Sequence, residues 1–295
     1  MNRLKVSSIM LVIVLFITMV SSFAWISLAT VNKIENISLN AIEGYDLEIS
    51  LDGVDYYTNL NKDQILNKMK WFTFKEVTSL DGRNFKTSYK DDELAIKDKD
   101  YLNLTFYFRT TSSYTEIHLS DLITDASYDN PPTEGTFITS EGRRFRSTFD
   151  FQYGPEDIVT EGEIRTYYVR DAMRVSFYDN NLNTTKIFDL SGNEERGFGK
   201  PYGMIAYFNH YKSINLIPPE APETLYTLSE FEESSPYAKT SDSHLITLTQ
   251  SENGYYEGSV EVNIWLEGWD ADAFDAVYDD KIKIQLMFRA VRPKS

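Results

Sequence analysis

Apolar and polar residues alternate in several short stretches of the chain from residue 47 onwards. A period of two puts successive side chains on opposite faces of a strand, so one face lies in a core and the other faces water. Half-exposed strands of this kind usually pair antiparallel. The clearest alternating stretches are residues 47–51, 102–108, 164–169, 173–177, 260–266 and 282–288. This pattern predicts an all-β protein built as an antiparallel two-sheet sandwich.

Turn signals separate the alternating stretches. Asn253-Gly254 lies between the apolar positions Ile246 and Leu248 on one side and Val260 and Val262 on the other. It predicts a β-hairpin, because Asn-Gly favours the tight turns that join antiparallel strands. Helical periodicity is short, with Lys62–Lys70 and Ala271–Tyr278 as its best examples. Strands and helices do not alternate, so a parallel sheet is not expected. Residues 31–295 are therefore predicted to form a single β-sandwich domain with long loops.

The first 30 residues follow a different pattern. Arg3 and Lys5 precede an uncharged, apolar stretch from Ile9 to Ala29, which is typical of an exported protein. A stretch of this length also suffices for a hydrophobic helix across a bilayer about 30 Å thick. Residues 1–30 are thus predicted to be either a cleaved signal peptide or a membrane anchor. In both cases the body is extracellular or lies at the cell surface, and an anchored N-terminus stays cytoplasmic.

Charge and cysteine content narrow the range of partners. The formal net charge of −16 argues against nucleic acid and anionic lipid, because both require clustered Lys and Arg. Membrane contact is therefore expected only through the N-terminal segment. The chain has no cysteine, which excludes disulfides and thiolate metal sites. An exported protein without disulfides favours a bacterial source.

An acidic loop near the C-terminus is the candidate metal site. Asp270, Asp272 and Asp275 follow one another closely, and hard cations such as Ca²⁺ prefer several carboxylate oxygens that converge. The spacing does not match an EF-hand. The alternative is a solvated loop with Trp269 and Phe274 packed beneath it. Calcium is the one cofactor that the sequence suggests, and apart from it none is expected.

Aromatic residues on the C-terminal strands form a candidate contact face. Tyr255, Tyr256, Trp265 and Trp269 are predicted to form it, because aromatic rings on a sheet can stack on sugars or fill a partner's pocket. The alternative is that such rings form the cross-strand pairs that ordinarily stabilise sheets.

Motifs that would indicate an enzyme are missing from the sequence. The three histidines, His118, His210 and His244, do not form His-Glu-x-x-His, and there is no Gly-x-Ser-x-Gly. Paired carboxylates for glycoside cleavage remain open, because their separation is spatial. No catalytic residue is predicted, and the chain is not expected to be an enzyme.

Segments at both ends of the chain resemble the TasA/camelysin family of exported bacterial surface proteins. Phe23–Thr30 closes the apolar segment with an aromatic-containing stretch, and Leu47–Gly53 follows as an early strand and turn. Ile264–Asp270 also looks like proteins exported with that kind of signal. The resemblance implies a jelly-roll-like sandwich, cleavage by a dedicated signal peptidase and assembly into extracellular matrix fibres. Some members carry a metallopeptidase label, for which this sequence offers no zinc motif.

Three function classes follow from these observations. The leading hypothesis is a structural or adhesive protein of the cell surface or extracellular matrix that binds other proteins or copies of itself. The second is a carbohydrate-binding surface module that uses the aromatic face. The third is an extracellular hydrolase that uses paired carboxylates.

Overall fold

A computed structural model describes residues 33–41, 46–60, 65, 74–87, 93–231 and 236–294. The predicted N-terminal segment and most of the predicted helix Lys62–Lys70 lie outside these residues. Within the described ranges there are eighteen strands and one α-helix. In chain order the elements are β1 (Lys33–Ala41), β2 (Glu48–Ser50), β3 (Asn59–Leu60), β4 (Glu76–Thr78), β5 (Lys86–Thr87), β6 (Leu102–Thr110), β7 (Glu116–Leu119), β8 (Phe137–Ser140), β9 (Arg143–Arg146), β10 (Phe151–Gln152), β11 (Ile158–Val159), β12 (Ile164–Tyr167), β13 (Met173–Asp179), β14 (Thr184–Phe188), α1 (Met204–Lys212), β15 (His244–Thr247), β16 (Thr249–Gln250), β17 (Tyr256–Glu267) and β18 (Lys281–Val291).

The larger sheet has eight strands and is organised around β17. This strand pairs antiparallel with β13 on one side and with β6 on the other. Strand β14 extends the sheet beyond β13, and β2 extends it beyond β6. Strand β16 turns into β17 through Asn253-Gly254, so the predicted hairpin is confirmed.

The smaller sheet has six strands and is organised around β18. Strand β1 pairs with one edge of β18, and β3 pairs with the other edge of β1. Strands β7 and β8 share the other side of β18, and β15 pairs with β7. Two further two-stranded sheets, β9–β12 and β10–β11, complete the described strands.

Aromatic and aliphatic side chains from the two large sheets meet in one core. Phe106 of β6 and Phe177 of β13 contact the ring of Phe288 of β18, with centroids 5.8 and 6.3 Å away. All three side chains are buried, and burying a ring of this size stabilises the fold by about 1.5–3 kcal/mol. The alternating stretches supply these residues, so the predicted all-β, sandwich-like class is confirmed.

Two strand pairs run parallel, which the sequence did not predict. Strand β1 pairs parallel with β18 from Lys33↔Lys281 to Ala41↔Phe288, and β4 pairs parallel with β17. A period of two shows which side chains share a face, but it says nothing about the direction of the neighbouring strand. Almost the whole chain connects β1 to β18, so the parallel pair needs no helical crossover.

The α-helix is also absent from the predicted elements. It begins after Gly203, whose φ of +57° suits glycine, and a Cβ there would overlap the carbonyl oxygen of Ala271. It ends at Ser213 in the left-handed conformation. Tyr207 and Phe208 on this helix are buried. Among the described residues, no helix has the length and apolar character that crossing a bilayer requires.

Candidate functional site

The acidic loop after β17 lies within the fold and is bound to arginine. Asp270 is 1% exposed and accepts a short hydrogen bond from Nη2 of Arg174. The same guanidinium nitrogen lies 2.8 Å from a carboxylate oxygen of Asp189, which is also buried. One arginine on β13 therefore contacts two buried aspartates from different parts of the chain.

A second arginine binds Asp272. Arg196 Nη2 donates to the Asp272 carboxylate at 2.6 Å, and its Nε lies 3.0 and 3.1 Å from the two carboxylate oxygens. The hydroxyl of Tyr153 donates to the same carboxylate at 2.8 Å. The Arg196 guanidinium also lies 3.6 Å from the centre of the Tyr153 ring. This bidentate, stacked arrangement is the geometry in which arginine binds carboxylates best.

Asp275 faces a different part of the structure. Its carboxylate accepts a hydrogen bond of 3.2 Å from the hydroxyl of Tyr207 on α1. It lies in a single 3₁₀ turn, Asp275–Val277, within the stretch where the sequence predicted a helical turn. The three predicted calcium ligands are thus engaged by three different sets of protein donors.

Metal-ligand geometry does not arise from these aspartates. Across the described ranges, no group of three or more His, Asp or Glu side chains could hold a metal ion. Calcium would have to compete with Arg174 and Arg196 for the carboxylates of Asp270 and Asp272. The alternative in which Trp269 and Phe274 pack beneath the loop agrees with their burial at 7% and 0% exposure.

Burial and mutual repulsion shift the pKa values of the acids in this region. Burial raises the pKa of Asp270 well above its ordinary value, against the lowering effect of Arg174. Burial, together with the charge of Asp272, raises the pKa of Asp171 to about 7. Burial also raises the pKa of Glu76 to about 7, although Tyr278 donates a 2.8 Å hydrogen bond to its carboxylate. The folded protein therefore disfavours the ionised forms of these acids.

Stability is expected to fall as the pH rises from 5 to 8. A carboxyl whose pKa is raised on folding stabilises the folded state at low pH, and this contribution is lost as the pH passes through the folded-state value. Glu76 and Asp171 should each contribute about 1–3 kcal/mol to this fall. Thermal unfolding of wild type and Glu76→Gln at several pH values measures this decrease in stability. The variant should lose part of the pH dependence, whereas Glu252→Gln, at an exposed acid, should keep all of it. Unchanged pH dependence in Glu76→Gln would contradict the assignment.

The predicted aromatic contact face is not formed. Trp265 is 0% exposed and Trp269 is 7% exposed, whereas Tyr255 and Tyr256 are half-buried. Tyr256 and Trp265 lie nine residues apart on β17, which is about 30 Å along a strand and an odd number of residues. They therefore lie on opposite faces of the sheet. The prediction treated the outer face of β17 as solvent-exposed, and the structure covers it.

The β4–β5 hairpin provides this cover. Phe85, beside β5, stacks on Tyr101 with ring centroids 4.0 Å apart and contacts Trp265 edge-on at 5.1 Å. The carbonyl of Gly82 accepts hydrogen bonds from Ser176 Oγ at 2.6 Å and Asn263 Nδ2 at 3.0 Å. Trp265 therefore belongs to a second, smaller core between the sheet and the hairpin.

Trp269 lines a groove beside this hairpin. The groove has a volume of about 400 Å³. We call it the Trp269 groove, and it is lined by Thr78, Ser79, Leu80, Asp81, Asn84, Lys86, Thr87, Ile217, Pro218, Pro219 and Trp269. One wall is the β4–β5 hairpin and the other is the segment after α1. Leu80 and Ile217, one from each wall, are 54% and 76% exposed.

Several contacts hold the walls of the Trp269 groove in place. The amide of Gly199 donates to the Trp269 carbonyl at 2.7 Å, and Gly199 has a φ of +70°. A Cβ at Gly199 would come within 3.3 Å of Pro218, so this glycine allows the proline wall to approach. On the hairpin wall, the Asp81 carboxylate accepts backbone hydrogen bonds from Arg83 at 2.9 Å and Asn84 at 2.8 Å. A preformed groove of this kind orders few side chains when it binds a partner.

The base of the groove connects to the buried charges. The backbone amide of Trp269 donates to Glu267 at 3.1 Å, and the indole of Trp265 donates to the same carboxylate at 2.9 Å. Trp265 lies opposite Arg174 in the β13–β17 register. Arg174, Asp189 and Asp270, which we call the Arg174 cluster, are therefore connected to the groove through the pairing of β13 with β17. The sequence identified Trp269 and Asp270 but gave no signal that the segments around residues 80 and 217 would join them.

No family model, curated protein or solved structure matches this chain. The site must therefore be interpreted from its own geometry.

Proposed function

We propose that this protein is exported and acts at the cell surface or in the extracellular matrix as a structural or adhesive protein. Its partner would be an extended segment of another protein or of a second copy, bound in the Trp269 groove. The N-terminal sequence pattern supports export. The TasA/camelysin-like segments support a matrix role.

The observation that carries the binding proposal is the pair of exposed apolar side chains on the groove walls. Leu80 and Ile217 flank a groove lined by an aromatic ring and two prolines. Exposed apolar side chains around a concave surface mark sites of protein contact.

A carbohydrate ligand is the second candidate for the same groove. Polar side chains suited to hydroxyl groups, those of Asp81, Asn84 and Thr87, line it beside Trp269. Sugar rings bind by stacking on an aromatic ring while neighbouring polar groups satisfy their hydroxyls. The indole is 7% exposed, which leaves little ring surface for stacking and favours the protein partner.

Replacing Ile217 by Asp should abolish partner binding without unfolding the protein. Ile217 is 76% exposed, so the charge costs little stability but disrupts an apolar contact. The full chain would be expressed in cells that export it, cross-linked on the cell surface and analysed for protein partners and self-adducts. We expect Ile217→Asp to lose these adducts and Leu182→Asp, at an exposed residue in the β13–β14 turn, to keep them.

The same experiment separates the alternatives. Adducts that persist in Ile217→Asp would contradict the groove as the binding site. Binding to polysaccharide arrays that is lost on Asn84→Ala, without protein adducts, would favour the carbohydrate ligand. Recovery of the intact chain from the cytosol, with residues 1–30 still attached, would contradict export.

A further inference from the structure

The two-stranded β9–β12 ribbon carries two arginines on its outer face. Arg144 lies directly opposite Thr166, and Arg146 lies directly opposite Ile164. Opposed residues of paired strands share a face, and so do residues two apart on one strand. All four side chains are exposed. We call the surface formed by Arg144, Arg146, Ile164 and Thr166 the arginine face.

The inner face of the same ribbon fixes its orientation. Tyr167 of β12 is buried. The ring of Phe145 on β9 contacts Tyr207 and Phe274 edge-on, with centroids 6.1 and 6.3 Å away. Because these rings hold one side of the ribbon against the core, the arginine face is held toward solvent.

The other arginines of the ribbon have acidic neighbours of their own. Arg165 lies 2.7 Å from Asp157 and 2.5 Å from Glu163. Arg143, at the start of β9, lies 4.0 Å from Asp279. These acids are thus engaged by arginines that do not belong to the arginine face, and the charge that this face presents to solvent is positive.

The spacing of the two exposed arginines suits a partner with repeated negative charge. Arg144 and Arg146 are two residues apart on a strand, which places their Cα atoms about 7 Å apart on one side. Like charges at this separation repel one another, and anions that bind beside them remove the repulsion. The arginine face therefore favours an extended partner with two acids a few residues apart.

The segment after α1 has this character. Residues 214–224 belong to no helix, and Glu220 and Glu223 among them are exposed. Pro219 and Pro222 restrict the backbone around these acids, so little conformational freedom is lost on binding. Prolines also favour the polyproline II conformation, in which side chains three residues apart share a side. We call residues 219–223 the acidic segment.

A lysine of the same chain lies near one end of the acidic segment. The charge of Glu223 acts on Lys186, but the Lys186 ammonium donates to the carbonyl oxygens of Ser241 and Asp242 at 2.8 and 2.9 Å. Both Glu220 and Glu223 remain exposed. Their carboxylates are therefore accessible to cations of another molecule.

We propose that the arginine face of one copy binds the acidic segment of a second copy. Arg144 and Arg146 would pair with Glu220 and Glu223, because the guanidinium fork matches the geometry of a carboxylate. The prolines of the acidic segment would pack on Ile164. This contact lies outside the Trp269 groove, so either proposal can fail without the other.

The contact joins two different surfaces, so it is heterologous. A dimer made in this way keeps one free arginine face and one free acidic segment. Such contacts continue into open filaments unless the rotation between copies closes a ring. The same pair of surfaces would therefore allow growth beyond a dimer, as a matrix protein requires.

The net charge of −16 determines the conditions under which copies associate. It repels copies over long distances, whereas the paired charges act at short range. At about 0.1 M salt the Debye length is about 10 Å, which screens the distant repulsion more than the close pairs. At about 1 M it is about 3 Å, so the pairs weaken too. We expect association near 0.1 M salt and its decline at 1 M.

Cysteine cross-linking tests the contact on a clean background, because the chain has no cysteine. Thr166→Cys on the arginine face and Ala221→Cys in the acidic segment would be made in separate full-length copies. Mixed under mild oxidation at about 0.1 M salt, they should form a disulfide-linked heterodimer. With Asn181→Cys, at an exposed residue in the β13–β14 turn, in place of Ala221→Cys, the yield should be about fivefold lower or less.

Charge reversal on the arginine face tests the forces involved. Arg144→Glu with Arg146→Glu, in the copy that carries the arginine-face cysteine, should lower the heterodimer yield by about fivefold or more. Lys97→Glu with Lys99→Glu reverses another exposed basic pair with the same spacing. This matched control should leave the yield unchanged. All four side chains are exposed, so the variants should fold.

The complementary reversal makes the result decisive. Glu220→Arg with Glu223→Arg in the other copy should restore the heterodimer with the reversed arginine face. Absence of the heterodimer, or an equal yield with Asn181→Cys, would overturn the proposal. A yield that is unchanged by charge reversal or by 1 M salt would also overturn it. A Thr166→Cys homodimer as the main product would show a symmetric contact instead and would overturn it as well.

Discussion

Replacing Arg174 by Met is expected to destabilise the protein by about 3–5 kcal/mol, because it leaves Asp189 and Asp270 buried without their cation. Both carboxylates are 1% exposed, so water cannot take the place of the guanidinium. Urea unfolding of the full chain measures the loss. Because the uncompensated acids become protonated as the pH falls, the variant should regain stability between pH 7 and 5.

A matched control separates this effect from the loss of any ion pair. Arg165 also contacts two acids, Asp157 at 2.7 Å and Glu163 at 2.5 Å, but all three groups are partly exposed. Arg165→Met should cost less than about 1 kcal/mol. In the Arg174→Met background, Asp270→Asn should recover part of the loss. If Arg174→Met and Arg165→Met lost similar amounts of stability, the carboxylates around Arg174 would have to be accessible to water.

Replacing Trp265 by Ala should cost about 3–5 kcal/mol, because it removes the largest fully buried side chain of the smaller core. The buried carboxylate of Glu267 would also lose the hydrogen bond from the indole. Since Phe85 rests on Trp265, the β4–β5 hairpin should loosen and amide exchange there should rise. Hydrogen-exchange mass spectrometry over residues 74–87, together with urea unfolding, measures both effects.

Trp265→Phe gives the corresponding control. It keeps most of the packing but removes the indole donor, so its cost should be about 1–3 kcal/mol and the hairpin should remain protected. Exchange in the hairpin that is unaffected by Trp265→Ala would mean that the hairpin does not depend on this ring. The contact of Phe85 with Trp265 would then not be what holds the hairpin wall of the Trp269 groove in place.

The alternating stretches predicted the fold class because period-two patterning reports which side chains enter the core. Strand β17 illustrates both the success and the limit of this inference. Val260, Val262 and Ile264 are buried as predicted, but Asn263 and Trp265 on the other face are buried too. A hairpin distant in sequence covers them, and no local pattern encodes that contact. Polar residues in an alternating stretch therefore do not guarantee solvent on that face.

The candidate sites were harder to predict for a related reason. Asp270 and Asp272 resemble ligands for a cation in sequence, but Arg174 and Arg196, far away along the chain, bind them. Which positive charge reaches a carboxylate depends on tertiary structure alone. The same holds for the arginine face, whose residues become neighbours only through the β9–β12 register.

The parallel pairing of β1 with β18 has a mechanical consequence. The eight registered pairs from Lys33↔Lys281 to Ala41↔Phe288 join the first and last described strands side by side. Tension between the two ends of the chain would pull these strands lengthwise in opposite directions. Every hydrogen bond between them would then bear the load at once, instead of parting one after another. A parallel pair loaded in this way resists shear well, so the paired ends of the described chain should be hard to pull apart.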